Sequence, residues 1–254
     1  MSLTLQTING NIAIAALNRP DAANALNTQM ALDLKAFFTS ATKYRAIILT
    51  GNGKTFCAGA DLKERKGMNE SQWQAQHHTF EEALHALMNC EIPVIAAVNG
   101  SAFGGGLELA LACDFIYAAD TARFAFTEVT LGIMPGLGGT QTLPRAIGMA
   151  HAKELILTGK PFSAEEAFQW GMVNKLCSAA ALQNDSLACA TSIAANAPLS
   201  VKAAKAASNQ GATLPIAEAL QCELKHYNTL LTSRDRHEGI NAFNEKRKAV
   251  FTGE

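Results

Sequence analysis

Two glutamates stand among small and apolar neighbours, each beside a glycine-rich turn. Glu108 lies in Gly104-Gly105-Gly106-Leu107-Glu108-Leu109-Ala110-Leu111-Ala112-Cys113. Glu128 lies in Phe124-Ala125-Phe126-Thr127-Glu128-Val129-Thr130-Leu131-Gly132, followed by Pro135-Gly136-Leu137-Gly138-Gly139. An ionised carboxylate in apolar surroundings is costly unless something compensates it. A chain that carries two either pairs them with cations or uses them as an acid and a base. Arg123 is the one cation close to either in sequence, which favours the second use.

Two more segments suit the same chemistry. Phe56-Cys57-Ala58-Gly59-Ala60-Asp61-Leu62-Lys63 is a small-residue loop whose backbone N–H groups are accessible to a ligand. Val98-Asn99-Gly100-Ser101-Ala102-Phe103-Gly104-Gly105-Gly106 leads into a predicted helix, whose N-terminal N–H groups and dipole favour negative charge. One amide from each would form an oxyanion hole, worth roughly 3–4 kcal/mol per donor in a transition state. Each feature alone also has a structural reading. Residues 58–60 could be a tight turn, and Gly104 to Gly106 a close helix–strand contact. Glu108 could serve the helix dipole, and Glu128 could pair with Arg123 or cap a helix.

The elements that must position these residues follow from patterning. Leu3 to Ile8 and Ile12 to Leu17 flank Asn9-Gly10-Asn11 as a β-hairpin. Asn27 caps a helix to about Ala41, with Met30, Leu34, Phe37 and Phe38 at helical spacing. Ala46 to Thr50 reads as a buried strand, Glu70 to Cys90 as a long helix, and Val94 to Val98 as a strand after Pro93. Gly100 to Gly106 reads as a tight turn into a helix from Leu107 to Cys113. Strands follow at Phe115 to Ala118 and Phe124 to Phe126. From Thr140 the chain is mostly helical, with one strand near Val173 to Leu176. Strand, strand, helix thus repeats through the first two-thirds, which predicts an α/β fold with a helical C-terminal region. The expected division is 1–195 as a core carrying the site, and 196–254 as helices packed on that core or on a neighbouring subunit.

Composition narrows the function. The chain has 254 residues, 48% hydrophobic and 17% charged, a balance that suggests surface buried against other copies. The net charge is −1 with no basic tract, so nucleic acid is not an expected partner. No apolar run reaches the ~20 residues of a membrane span. Six scattered cysteines without CxxC spacing, and no leader-like segment, predict reduced, buried thiols in a cytoplasmic protein. Histidine spacing matches no metal motif, so no metal is expected. Gly51-Asn52-Gly53-Lys54-Thr55 ends like a phosphate loop, yet Ile48 stands where that loop needs glycine. Gly104-Gly105-Gly106 lacks the spacing of a dinucleotide fingerprint. Nucleotide hydrolysis and hydride transfer are not expected.

Taken in order, these segments resemble the enoyl-CoA hydratase/isomerase (crotonase) family, and the resemblance runs nearly end to end. Besides the loops above it rests on Leu17-Asn18-Arg19-Pro20 with Asn24-Ala25-Leu26, and on Leu157-Thr158-Gly159 with Gly171-Met172-Val173. In the tail it rests on Asp235-Arg236-His237-Glu238-Gly239 and Phe243-Asn244-Glu245-Lys246-Arg247. It implies a spiral of ββα units followed by helices that mediate trimerisation, in a homotrimer or a hexamer built as a dimer of trimers. It also implies an acyl-CoA substrate, with coenzyme A part of that substrate and no separate cofactor.

Carried over by position, the resemblance makes the N–H groups of Ala60 and Gly105 the oxyanion hole, and Glu108 and Glu128 the catalytic pair. Gly136 becomes the water-positioning glycine. Ala58, Asp61, Leu62, Lys63, Tyr227, Phe243 and Lys246 fall at substrate or CoA contacts, those in the tail often reaching a neighbouring subunit. Having both glutamates favours hydration over isomerisation. Thr142 departs from the arginine common after Gly-Thr-Gln, and Tyr227 from a phenylalanine.

Three stretches look most like the methylglutaconyl-CoA hydratase branch, which acts in leucine breakdown: Cys57 to Arg65, Gly106 to Ala112 and Leu143-Pro144-Arg145-Ala146-Ile147-Gly148. That substrate's distal carboxylate would call for a cation at the acyl end, which sequence does not locate. The simpler alternative is a short-chain enoyl-CoA hydratase of fatty acid β-oxidation, and a further one is an enoyl-CoA isomerase. RNA binding, known in that branch through a row of lysines, is not expected, because the helix from Asn27 to Ala41 offers only Lys35.

Overall fold

The computed structural model describes residues 2–254. Leu3–Ile8 (β1) and Ile12–Leu17 (β2) form the expected antiparallel hairpin, with Ile8 opposite Ile12. Asn9 and Gly10 both take positive φ there, which explains a turn built from asparagine and glycine. Beyond β2 the large sheet is parallel. Ala46–Gly51 (β3), Val94–Val98 (β5), Phe115–Ala119 (β7) and Lys175–Cys177 (β10) extend it in the order β1-β2-β3-β5-β7-β10. Strands β2 and β5 are buried along their whole length, as expected for parallel strands covered on both faces.

Each repeat then sends a short second strand into a smaller sheet. Thr55–Cys57 (β4), Ser101–Phe103 (β6) and Arg123–Ala125 (β8) run parallel, and Phe162–Ser163 (β9) closes the sheet antiparallel to β8. Phe56, Phe124 and Phe162 are fully buried, and the rings of Phe124 and Phe162 stack at 5.6 Å. The chain therefore spirals, β3-β4, β5-β6, β7-β8, with a helix after each of the first two pairs. This is the crotonase fold.

The helices bear out the patterning with shifts at their ends. Thr28–Ser40 (α1) is capped by Asn27, whose side chain accepts from Met30 N at 3.0 Å. Leu62–Arg65 (α2) is a single turn. Glu70–Met88 (α3) begins with a reciprocal capping box between Asn69 and Gln72, and it packs against α1. Gly105–Leu111 (α4) starts two residues before the expected Leu107 and follows a strand where a turn was expected. Glycine is a poor helix former, which hid the first two residues of α4, while β6 exists through its pairing with β4 and β8. The last core strand is Lys175–Cys177, two residues later than expected at its start.

Then come Gly139–Ile147 (α5), Met149–Thr158 (α6), Ala164–Gln169 (α7) and Leu182–Ala194 (α8), the last packing across β3, β5 and β7. Pro198–Gly211 (α9) and Ile216–Asn228 (α10) pair with each other, and Arg234–Asn244 (α11) follows. Four cysteines are buried as expected, whereas Cys189 and Cys222 are half-buried. No described helix is long and apolar enough to cross a membrane.

Candidate active site

Strand ends and helix starts converge on a cavity of about 180 Å³. The loop after β4 supplies Ala58, Gly59 and Ala60, the start of α4 supplies Gly104, Gly105 and Glu108, and the segment after β8 supplies Thr127 and Glu128. Leu26 and Ala60 form an isolated parallel bridge, in which Leu26 N donates to Gly59 O and Asp61 N to Leu26 O. The Ala60 N–H between them has no acceptor within the described chain, and neither does the Gly105 N–H at the start of α4. These two amides are neighbours. A methyl built on Gly59 would lie 3.6 Å from Gly105 N, and one on Gly105 would lie 3.9 Å from Ala60 N.

The loop is held by the Asn18-Arg19-Pro20 and Asn24-Ala25-Leu26 segments. Arg19 donates to the Asp61 carboxylate at 2.8 Å and to Ala25 O at 2.5 Å. Asn24, fully buried, donates to Asn52 O and Thr55 O while accepting from Arg19 N. Asp61 also caps α2, accepting from Lys63 N and Glu64 N. Burial opposes its charge, but Arg19 and these two amides outweigh that and hold its carboxyl below the usual range. The Asp61 carboxylate is thus spent inside the chain. Neither Asp61 nor Lys63 lines the cavity, whereas Ala58 and Leu62 do. Asp61 therefore positions the loop.

Glu108 is 2% exposed on the first turn of α4. Its Oε1 accepts from Leu137 N at 2.7 Å and Gly139 N at 2.8 Å. The loop from Pro135 to Gly139 can aim both amides because Gly138 takes φ +94° and a side chain on Gly139 would strike the Phe126 ring. Thr142 secures the same turn by donating to Gly138 O at 3.1 Å. Glu128, half-buried at the start of a 3-10 turn over Glu128–Leu131, has a buried Oε2 without a hydrogen-bond partner. It forms no ion pair with Arg123, so that structural reading fails. Burial pushes Glu108 up to about 7, with its two amide donors pulling down and the Glu128 charge pushing further up. Glu128 is also raised by burial. Two carboxyls whose ionisation is held back at one cavity suit proton transfer near neutral pH.

Gly136 lies on the rim beside His77, whose ring carbon would be 2.8 Å from a methyl added there. Leu137 and Gly139, the amides that orient Glu108, are additions that sequence reasoning missed, since backbone donors leave no mark in residue type. The rest of the cavity lining was also missed. It includes Arg65, Trp73, His77 and Phe80, and Leu131, Ile133 and Met134. Trp73, His77 and Phe80 recur at helical spacing along one face of α3, which is the signal that could have found them. Tyr227 on α10 and Phe243 on α11 are largely exposed. Neither they nor Lys246 line the cavity within one chain.

Residues 7–254 match the family model for enoyl-CoA hydratase/isomerase. The mitochondrial enoyl-CoA hydratase of Pongo abelii is 41% identical over 246 residues, covering 96% of this chain and 84% of the relative. A short-chain-enoyl-CoA hydratase of Clostridium acetobutylicum is 41% identical over 243 residues, covering 94% and 93%. The crystal structure of an enoyl-CoA hydratase from Bacillus anthracis superposes with a TM-score of 0.97 at 40% identity, covering all of both chains. In sequence and in fold, the chain belongs to the enoyl-CoA hydratase/isomerase family of enzymes.

Proposed function

We propose that this enzyme adds water reversibly, and syn, across the 2,3 double bond of a trans-2-enoyl-CoA to give the 3-hydroxyacyl-CoA. The observation that carries this is the pairing of two carboxyls with raised pKa and two unpaired amides around one cavity. The thioester oxygen sits between the N–H groups of Ala60 and Gly105. Water attacks C3, the C2=C3 pair moves toward C1, and the resulting enolate oxygen is held by the two amides. The water's proton passes to Glu108, and Glu128 delivers its own proton to C2. Glu108, with two amide donors on one oxygen, is suited to hold the negative charge at the start. Glu128, whose buried Oε2 has no donor, is suited to carry the proton. The Glu128 charge adds to the rise at Glu108, so the two titrate as a coupled pair. Gly136, on the cavity rim, is the candidate to hold the water. No metal or redox cofactor enters these steps, and coenzyme A arrives with the substrate.

Motif likeness supports a finer reading, in which the acyl group is 3-methylglutaconyl. Tyr227, Phe243 and Lys246 would then meet the CoA of a neighbouring subunit in a trimer or hexamer. Exposed Ile216, Leu220 and Leu224 on α10 support such an assembly, because a lone chain would leave them in water. The test is product analysis in ¹⁸O-labelled water. Crotonyl-CoA should yield 3-hydroxybutyryl-CoA with label at C3. Unlabelled double-bond migration from a 3-enoyl-CoA as the dominant activity would favour the isomerase reading instead.

A further inference from the structure

The segment that aims two amides at Glu108 is held mainly by packing. Residues 134–138 lie outside any helix or strand. Among the described residues, the N–H groups of Met134, Gly136 and Gly138 have no acceptor in the chain, and Pro135 has no N–H to give. Leu137 N spends its one bond on Glu108 Oε1. The Leu137 side chain is buried and reaches α4, with its Cδ1 3.6 Å from a methyl built on Gly105.

The other support comes from α3. A methyl built on Gly138 would meet Leu84 Cδ2 at 3.8 Å. One built on Gly136 would meet the His77 ring at all three of its nearest atoms, Cε1 at 2.8 Å, Nε2 at 3.4 Å and Nδ1 at 3.8 Å. His77 and Leu84 stand seven residues apart on α3, hence on one face of it. That helix is a firm support, capped at its start and packed along α1. Gly136 does not take a positive φ, so its backbone conformation does not call for glycine. What calls for glycine is the imidazole, which sits closer to this backbone than a side chain would allow. His77 makes no hydrogen bond within the described chain, and its Nε2 lies 3.6 Å from Glu81 Oε1. Its place is therefore set by the contact with Gly136 and by α3.

We propose that His77 is a positioning residue for the reaction: its imidazole, seated on Gly136, holds residues 134–138 toward α4 and so keeps the Leu137 and Gly139 amides on Glu108. This rests on the hydratase reading of the same cavity. Displacement of a reacting group by about 1 Å can cost on the order of 10²-fold in rate, so a contact that only packs a loop still acts on turnover.

The test follows hydration of crotonyl-CoA, with circular dichroism on each preparation. His77→Ala should fold and lose roughly 10–10²-fold in kcat and kcat/KM alike. The apparent pKa of Glu108 in its kcat–pH profile should rise, because a loosened loop gives up amides that hold that value down. His77→Phe keeps a planar ring on Gly136 and removes the titrating group, while Arg65, Glu108 and Glu128, the other charged groups on the cavity, and Glu81 on α3 are untouched. It should recover most of kcat and return the pH profile to the native one. Gly136→Ala should lose a factor comparable to that of His77→Ala. The double variant should lose less than the product of the two, since both changes act on one contact. Native turnover in His77→Ala, a His77→Phe variant as slow as His77→Ala, or losses that multiply in the double variant would each overturn the proposal while leaving the hydratase reading intact. A native enzyme that does not hydrate crotonyl-CoA would overturn both.

Discussion

At the residue scale, Glu108 shows what a buried carboxyl does to stability as well as to chemistry. Its pKa is pushed from 4.5 to about 7 by burial, opposed by the Leu137 and Gly139 amides. Between those two values the unfolded chain has released its proton while the folded chain keeps it, so stability falls as pH rises through that window. Glu108→Gln keeps an acceptor for both amides and removes the charge. The variant should therefore be more stable than the native enzyme at pH 8, by up to about 3 kcal/mol, with the difference vanishing near pH 4. Urea unfolding at the two pH values measures it. A variant equally stable or less stable at pH 8 would mean that the charge is compensated by something beyond those amides. The two glutamates were legible in the sequence because acids seldom sit in such apolar runs. Arg65 was not legible as a buried cation lining the cavity, since Lys63-Glu64-Arg65-Lys66 reads as a solvated charge cluster. Only the approach of Trp73 from α3 buries one member of it.

At the scale of elements, the first turn of α4 separates packing from chemistry within two adjacent glycines. A methyl on Gly106 would meet Cys57 O at 2.2 Å, a backbone clash that the strand β4 cannot relieve. A methyl on Gly105 would meet nothing closer than 3.6 Å, but it would stand 3.9 Å from Ala60 N, in the space proposed for the thioester oxygen. Gly106→Ala should thus lose soluble, folded protein. Gly105→Ala should fold and lose roughly 10²–10³-fold in kcat. Circular dichroism and turnover on the same preparations distinguish the two outcomes, and an active Gly105→Ala would remove that amide from the oxyanion hole. The long elements were legible beforehand, from the Asn27 cap to the buried run of β5. Strands β4, β6 and β9 span two or three residues, too few for a period of two to register. They exist because the second sheet pairs them, a tertiary cause that local pattern does not carry.

At the scale of the whole molecule, the spiral brings three loops, distant in sequence, to one cavity, while α8 packs across the large sheet. Tyr227, Phe243 and Lys246 do not line that cavity, and in the proposed assembly they meet the CoA of a neighbouring subunit. The assembled enzyme should accordingly have a mass three or six times the 26.9 kDa of one chain, read by sedimentation equilibrium. A monomer that is fully active would separate these three residues from the substrate. The central claim is that two carboxyls act together on one water molecule. Its most direct measurement is the rate of ¹⁸O incorporation at C3 of crotonyl-CoA by the native enzyme and by Glu128→Gln. The variant should be folded and slowed by roughly 10²–10⁴-fold, the range for loss of a positioned acid. A Glu128→Gln variant that adds water at the native rate would contradict it.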